Sequence, residues 1–325
     1  MLLLSLAALA GVAFAGLALG SSSVGAADVA AFVVGGASDM ANNVLANVRV
    51  PRVLGAVLAG AALAEAGALI QATLNNPLAS PNIIGVNAGS GLFVLLFACV
   101  APHALGMSAA AAFLGALASA LLVFFVSAYA GASRLTIVLA GMALTAIFTA
   151  GMNTVLIFNP DAYVNSSGFL VGSLSGVMMS ELAIPGIMIC SGLILAMGQG
   201  TRLNILSLGD EGAHALGLNV NRTRLALLSL AALLAGAAVC FSGLVGFVGL
   251  IVPHVVRYVA GHDNRRVLAL SPIVGAILVC ACDTIARTLF APFEIPVGIC
   301  MALVGGPFFI YLILHSRKGE VDGRA

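Results

Sequence analysis

The sequence predicts an all-α, polytopic membrane protein. Of 325 residues, 61% are hydrophobic and 8% charged, and the mean hydropathy is +1.15; no soluble core could use so much apolar surface. The apolar residues come in runs of roughly 20, the length of helix that crosses a hydrocarbon layer about 30 Å thick. The 38 glycines build small-xxx-small faces, Gly85-x-x-x-Gly89 among them, that let helices approach closely. The whole chain, 1–325, reads as one transmembrane domain. A net charge of +1 without a basic stripe speaks against a nucleic-acid partner.

Ten spans follow in order: 2–20, 53–73, 82–101, 107–129, 135–158, 182–198, 225–245, 249–260, 267–286 and 295–314. The first could be a signal peptide, but it lacks a basic leader and its apolar run is long, so it reads as a retained span. The eighth, at 12 residues, is too short to cross as a straight helix. It is expected to be broken and to lean on its neighbours, with Gly243, Gly246 and Gly249 giving the chain room to turn. The six cysteines all sit in apolar runs. Cys280-Ala-Cys282 lacks the two-residue spacer of a metal or redox pair, so all six read as small buried hydrophobes.

Charge orients the bundle. With ten spans and the N-terminus inside, Arg134, Arg202, Arg222, Arg224, Arg257, Arg265, Arg266, Arg317, Lys318 and Arg324 are cytoplasmic, which is ten of the 13 basic residues. The positive-inside bias therefore places both termini in the cytoplasm. The longest cytoplasmic loop, 199–224, contains "LGDEGAHALGL" (208–218), a polar stretch in an apolar chain.

Three arginines disobey the bias. Arg49 and Arg52 sit at the outer mouth of span two, and Arg287 at the outer end of span nine. They can snorkel or pair with Asp283. They can equally form an outer cationic patch for an acidic partner, since guanidinium forks suit carboxylates. One acid, Glu65, falls in the middle of span two, where charge is costly; a proton-coupled transporter would use such a residue. His254 follows Pro253 and is expected to satisfy backbone that the proline opens.

Enzyme templates fail. "GSLSG" (172–176) has Leu174 where a nucleophile elbow needs serine. No H-E-x-x-H occurs, and no G-x-x-x-x-G-K-[ST]; the only lysine is Lys318. The chain therefore has no Walker-type nucleotide site and is not read as an enzyme. If ATP powers it, a separate subunit binds ATP and Mg.

Four segments together resemble the permease subunits of bacterial ABC importers for iron–siderophore, haem and vitamin B12: 48–91, with R-x-P-R and N-P-L-A-x-P; 206–220; 241–266; and 283–314. They cover nearly the whole chain. The resemblance implies the type II importer architecture: a homodimer in the bacterial inner membrane, two ATP-binding cassette ATPases beneath, and a periplasmic or lipoprotein binding protein that delivers a metal chelate. It implies that Arg49, Arg52 and Arg287 meet glutamates of that binding protein.

It also implies that 203–221 is the coupling segment seated on the ATPase. There Asp210 and Glu211 head a short helix whose dipole favours acids. Leu208, Ala213 and Leu216 would supply apolar contact. Gly209 and Gly217 flank the helix, Gly217 ending it in a left-handed conformation, and Asn221 would cap the next helix. The sequence departs from the family's pattern at Asn75, at Phe169 where tryptophan is usual, at Gly212 and at Glu65. Glu65 and Phe169 are candidates for the translocation path. The alternative reading is a stand-alone proton-coupled transporter using Glu65.

Overall fold

A computed structural model of the chain describes residues 1–20, 24–101, 108–130 and 133–322. Among them the regular structure is entirely helical. Each of the ten expected spans falls on a helix: α1 (Leu2–Ala18), α4 (Val50–Leu74), α5 (Val86–Val100), α6 (Ser108–Tyr129), α7 (Arg134–Phe158), α9 (Met179–Met197), α12 (Val220–Ser242), α13 (Val248–Ala260), α14 (Asn264–Thr288) and α15 (Val297–Asp322). Five shorter helices lie between them: α2 (Ala26–Val33), α3 (Asp39–Val44), α8 (Pro160–Val171), α10 (Gly200–Leu206) and α11 (Asp210–Ala215). Residue 107 of the predicted fourth span and Arg324 lie outside the described residues, as do the side chains of Arg317 and Lys318.

Six helices among the described residues are long and apolar enough to cross a membrane; α1, α5, α13 and 297–312 are shorter. At 1.5 Å per residue, the 13 residues of α13 rise only about 20 Å. The shortfall is expected for α13 and new for α5, and both have the same cause. Irregular backbone precedes each helix, and its Ala79, Pro81, Ile84, Gly85, Gly243 and Val245 are buried against protein. Before α5, the chain turns at Asn75 (φ 48°), makes a 3₁₀ turn at Pro81–Ile84 and turns again at Gly85. A small side chain tolerates the left-handed conformation at Asn75, where a long one would be strained. Before α13, Gly243 (φ 68°) and Phe247 (φ 66°) make the reversal. The turn thus uses Gly243 as expected but Phe247 in place of Gly246, while Gly249 lies inside α13.

Span two is longer than the sequence suggests. Helical backbone runs unbroken over 39–74, starting from Ser38, whose hydroxyl accepts the Ala41 N–H at 3.3 Å. Pro51 would break such a helix because it has no N–H to donate. A π turn at Leu45–Arg49 absorbs the fault, with Val50 donating five residues back to Leu45.

α4 is the centre of the molecule. Every residue from 59 to 74 is buried, so the helix is enclosed all round and, apart from Glu65, Gln71 and Thr73, apolar, with no amphipathic stripe. α14, α12 and α13 surround it. A Cβ at Gly60 would stand 2.2 Å from the Gly275 carbonyl oxygen, and one at Gly67 would stand 2.0 Å from that of Gly249. These crossings bring backbone against backbone. Gly85 and Gly89 both press on α6: a Cβ at either would stand 2.6 Å from the Ser119 side chain, and Gly89 also meets the Gly115 backbone, while Gly85 makes the turn before α5.

α8 is absent from the sequence reading. Its Phe169 carbonyl accepts the Leu244 N–H at 2.9 Å, and the Gly172 carbonyl accepts the Gly298 N–H at 2.9 Å. The helix thereby ties the end of α12 to the start of α15.

Candidate functional site

Polar chemistry concentrates at the two ends of the bundle. At one end lie Arg49, Arg52 and Arg287. All three are buried, at 3%, 6% and 3% exposure. The Arg52 fork grips Asp283, with Nε 2.9 Å from Oδ2 and Nη2 3.0 Å from Oδ1. Its remaining Nη1 donates to Glu294 at 2.6 Å. Arg287 approaches the same aspartate at 3.9 Å and donates to the Gly16 carbonyl; Arg49 donates to the Leu17 carbonyl. Gly16 and Leu17 belong to the last turn of α1, whose carbonyls lack intrahelical partners. Two arginines therefore cap α1, where the helix dipole also favours a cation.

Within the chain itself the three arginines are buried and paired, so they form no exposed cationic patch. Asp283, the intrachain partner the sequence offered, pairs mainly with Arg52, 231 residues away, and more loosely, at 3.9 Å, with its i+4 neighbour Arg287. A buried guanidinium committed to two carboxylates has no free fork to offer. The one partly open group of the set is Glu294, whose side chain is 33% exposed.

At the other end, residues 199–221 form an arm. α10 is pinned to the start of α14. Asn204 donates to Asp263 at 2.7 Å and accepts from the Asn264 backbone at 2.9 Å, while Arg265 donates to Thr201 at 3.0 Å. Asp263 also caps α14 through the Arg265 N–H. The bond from Asn204 and that from Arg265 hold its carboxyl below the usual value. Leu203 and Leu206 are fully buried beneath. Gly209 (φ 93°) then redirects the chain into α11.

α11 has Asp210 and Glu211 in its first turn, as expected. Its end is a Schellman motif: Leu218 donates to the Ala213 carbonyl at 3.0 Å and Gly217 (φ 80°) to that of His214 at 2.9 Å. The following cap is Asn219, whose side chain accepts the Arg222 N–H at 3.1 Å. The expected cap, Asn221, lies two residues too late, inside α12.

Asp210 faces inward. Its carboxylate accepts from Arg224 at 3.0 and 3.1 Å and from Arg134 at 2.8 Å, joining α11 to the first turns of α12 and α7. Partial desolvation opposes its ionisation, but the Arg224 and Arg134 contacts outweigh it and hold the carboxyl below its ordinary value. Arg224 is 2% exposed, so it needs this counter-charge more than a surface cation would. Ala213 is buried as well, which removes it from the expected contact face. Leu208 (64%) and Leu216 (61%) are exposed, with Glu211 and His214. The outward face is thus apolar with one acid and one histidine. Sequence reasoning missed Arg134, Arg224 and Asn204. Their charge and polarity were visible, but their pairing depends on three helices meeting.

Glu65 is fully buried, and neither oxygen has a hydrogen-bond partner among the described residues. It lies seven residues past Leu58, which touches Gly186 of α9, and so shares that face of α4. It lines none of the cavities described. Phe169 is half-buried and contributes its backbone carbonyl to the α12 turn, as above. His254 does not satisfy the backbone opened by Pro253. Gln71 does: its amide donates to the Gly249 carbonyl at 3.2 Å, which Pro253 leaves without a donor. His254 instead packs edge-on against Phe308, with ring centroids 6.1 Å apart.

A family model described as the FecCD transport family matches residues 7–315. The chain is 39% identical over 287 residues to the hemin transport system permease protein HmuU of Yersinia pestis, covering 86% of each chain. It is 37% identical over 289 residues to the Fe(3+)-citrate import system permease protein YfmD of Bacillus subtilis, covering 89% of this chain and 85% of that one. Among solved structures, an inward-facing conformation of a metal-chelate type ABC transporter superposes with a TM-score of 0.86 at 29% identity, covering 97% of this chain and 98% of that one. The helical bundle, the absence of any enzyme template in the sequence and these matches converge: the chain belongs to the FecCD transport family and is a multi-pass membrane permease.

Proposed function

We propose that this chain is the membrane-spanning subunit of an ATP-driven importer that moves a metal chelate to the cytoplasm by alternating access. It works as a pair of identical chains in the bacterial inner membrane, with both termini cytoplasmic, two ATPase subunits below and a solute-binding protein above. The observation that carries this reading is the arm. Asp210, Asn204 and the buried leucines fasten it to α7, α12 and α14, while Leu208, Glu211 and Leu216 point outward. An element rigidly joined to three long helices can transmit a push, and its free apolar face can receive one. Relatives named for hemin and Fe(3+)-citrate support a metal chelate as cargo.

The binding protein docks, on this reading, at the end that holds Glu294. Arg52, Arg49 and Arg287 act there by holding α1, α4 and α14 together, so that the docking surface keeps its shape. Replacing Glu211 and Leu216 together, as Glu211→Ala with Leu216→Ala, is expected to leave the permease folded. Transport should fall at least about tenfold while the ATPase still hydrolyses ATP, because the contact face is lost. Reconstituted transport and ATP hydrolysis measured side by side check this, and normal coupling in the double variant would sink the assignment.

A further inference from the structure

The largest cavity described, about 490 Å³, lies beside the arm. Its walls come from the end of α4 and the turn after it, from α13, from the loop into α14, and from Ser207 of the arm. That volume suits a small organic ligand. The charged or chargeable groups lining it are Arg257, His254 and His262. No Asp or Glu lines it. Asp263 is next in sequence, but its carboxylate is committed to Asn204 and to the α14 N-terminus.

Arg257 is the unusual member. The other half-buried or buried arginines at this end, Arg134 and Arg224, share Asp210. Arg257 donates only to the neutral Gln71 side chain, and no ion pair among the described residues includes it. A half-buried cation without a counter-charge is costly, and a bound anion would remove that cost. Tyr258 and Asn75 at the rim add neutral hydrogen-bonding groups.

We propose that this cavity is a binding site for an anion bearing phosphate or carboxylate groups, held by Arg257 with His254 and His262. The ligand spans α4, α13 and the arm, and so fastens the arm to the bundle. The orientation proposed above enters only in naming its source as the cytoplasm or the inner lipid leaflet. The site itself does not rest on the transport reading, and binding is measured without transport.

The full-length permease is placed in nanodiscs of neutral phosphatidylcholine, and inorganic pyrophosphate and citrate are titrated while Tm and equilibrium binding are followed. In a second arm the discs contain phosphatidylglycerol and no soluble anion is added. Saturable stabilisation in the first arm identifies a soluble anion, and stabilisation only in the second identifies a lipid headgroup; either supports the site. Arg257→Gln and His262→Ala are each expected to weaken binding about tenfold or more. Arg266→Gln, a matched charge loss outside the cavity, should not. If Arg257→Gln fails to fold, Arg257→Lys and His262→Ala decide. No stabilisation in either arm, or equal loss in all variants including Arg266→Gln, overturns the proposal.

Discussion

Arg52 is a buried cation whose whole guanidinium is taken up by two carboxylates of its own chain. An arginine out of place by the positive-inside rule invites a functional reading, and here the misplacement has a local cause. Asp283 and Glu294 meet Arg52, and the carbonyl end of α1 meets Arg49 and Arg287. Arg52→Ala leaves Asp283 buried, with only the 3.9 Å contact to Arg287. It is expected to cost about 3–5 kcal/mol, read as a lowered Tm of the purified permease. Arg52→Leu combined with Asp283→Leu should recover much of that loss, which a pure docking role would not predict. Glu65 carries the opposite expectation. It is fully buried, with no cation paired to it among the described residues, so Glu65→Gln should keep transport, and its pH profile, close to wild type. Abolished transport in a folded Glu65→Gln protein would revive the proton-coupled alternative.

At the scale of elements, the arm is held by polar contacts and the bundle by close packing. Asp210→Asn removes the charge that Arg224 and Arg134 share. It should loosen α11 and lower transport per ATP hydrolysed several-fold while leaving the transmembrane helices assembled. The two activities measured on one preparation check this. The native contact should survive moderate acid. A carboxyl whose folded pKa is depressed contributes stability above its unfolded value, near about 3.9. That contribution is lost only as pH falls through the lower folded value. Asp210 is half-exposed, so salt screens part of the attraction. Coupling should accordingly respond to high salt more than to pH between about 5 and 8. α13 is as short as the sequence predicts, and only its repair differs from the expectation of His254. Its shortness is built in, with Gln71 repairing the carbonyl that Pro253 orphans.

The whole molecule is organised around a helix that shows almost nothing to solvent or lipid. α4 is buried over 59–74 because glycines at Gly60 and Gly67 let α14 and α13 reach its backbone. Gly67→Ala puts a methyl group 2.0 Å from a carbonyl oxygen. It should cost about 1–3 kcal/mol or more, seen as reduced yield and a lower Tm. α7 and α9, by contrast, leave most of their apolar residues exposed, among them Leu139, Ile147, Ile184 and Ile194. Those faces are available to lipid or to the second chain of the proposed pair.

The sequence by itself determined the class, the order of the ten apolar helices, and the place of the arm between the sixth and seventh of them. Hydropathy and charge are one-dimensional signals, and a bilayer reads them nearly one residue at a time. Asp210 and Glu211 at the head of α11 and Gly217 at its end were legible because capping is local chemistry. Asn219 in place of Asn221 shows the limit of that reading: both asparagines suit a cap, and only the path of the chain chooses. What the tertiary structure alone decided is which charges meet. Arg52 with Asp283, Asp210 with Arg134, and Arg257 with Gln71 join residues 231, 76 and 186 positions apart. Their pairing depends on how helices pack, and buried charge takes whichever partner the packing brings within reach. α8 escaped notice for a related reason. Its mixed residues carry no strong period, and contacts to the ends of α12 and α15 hold it in place.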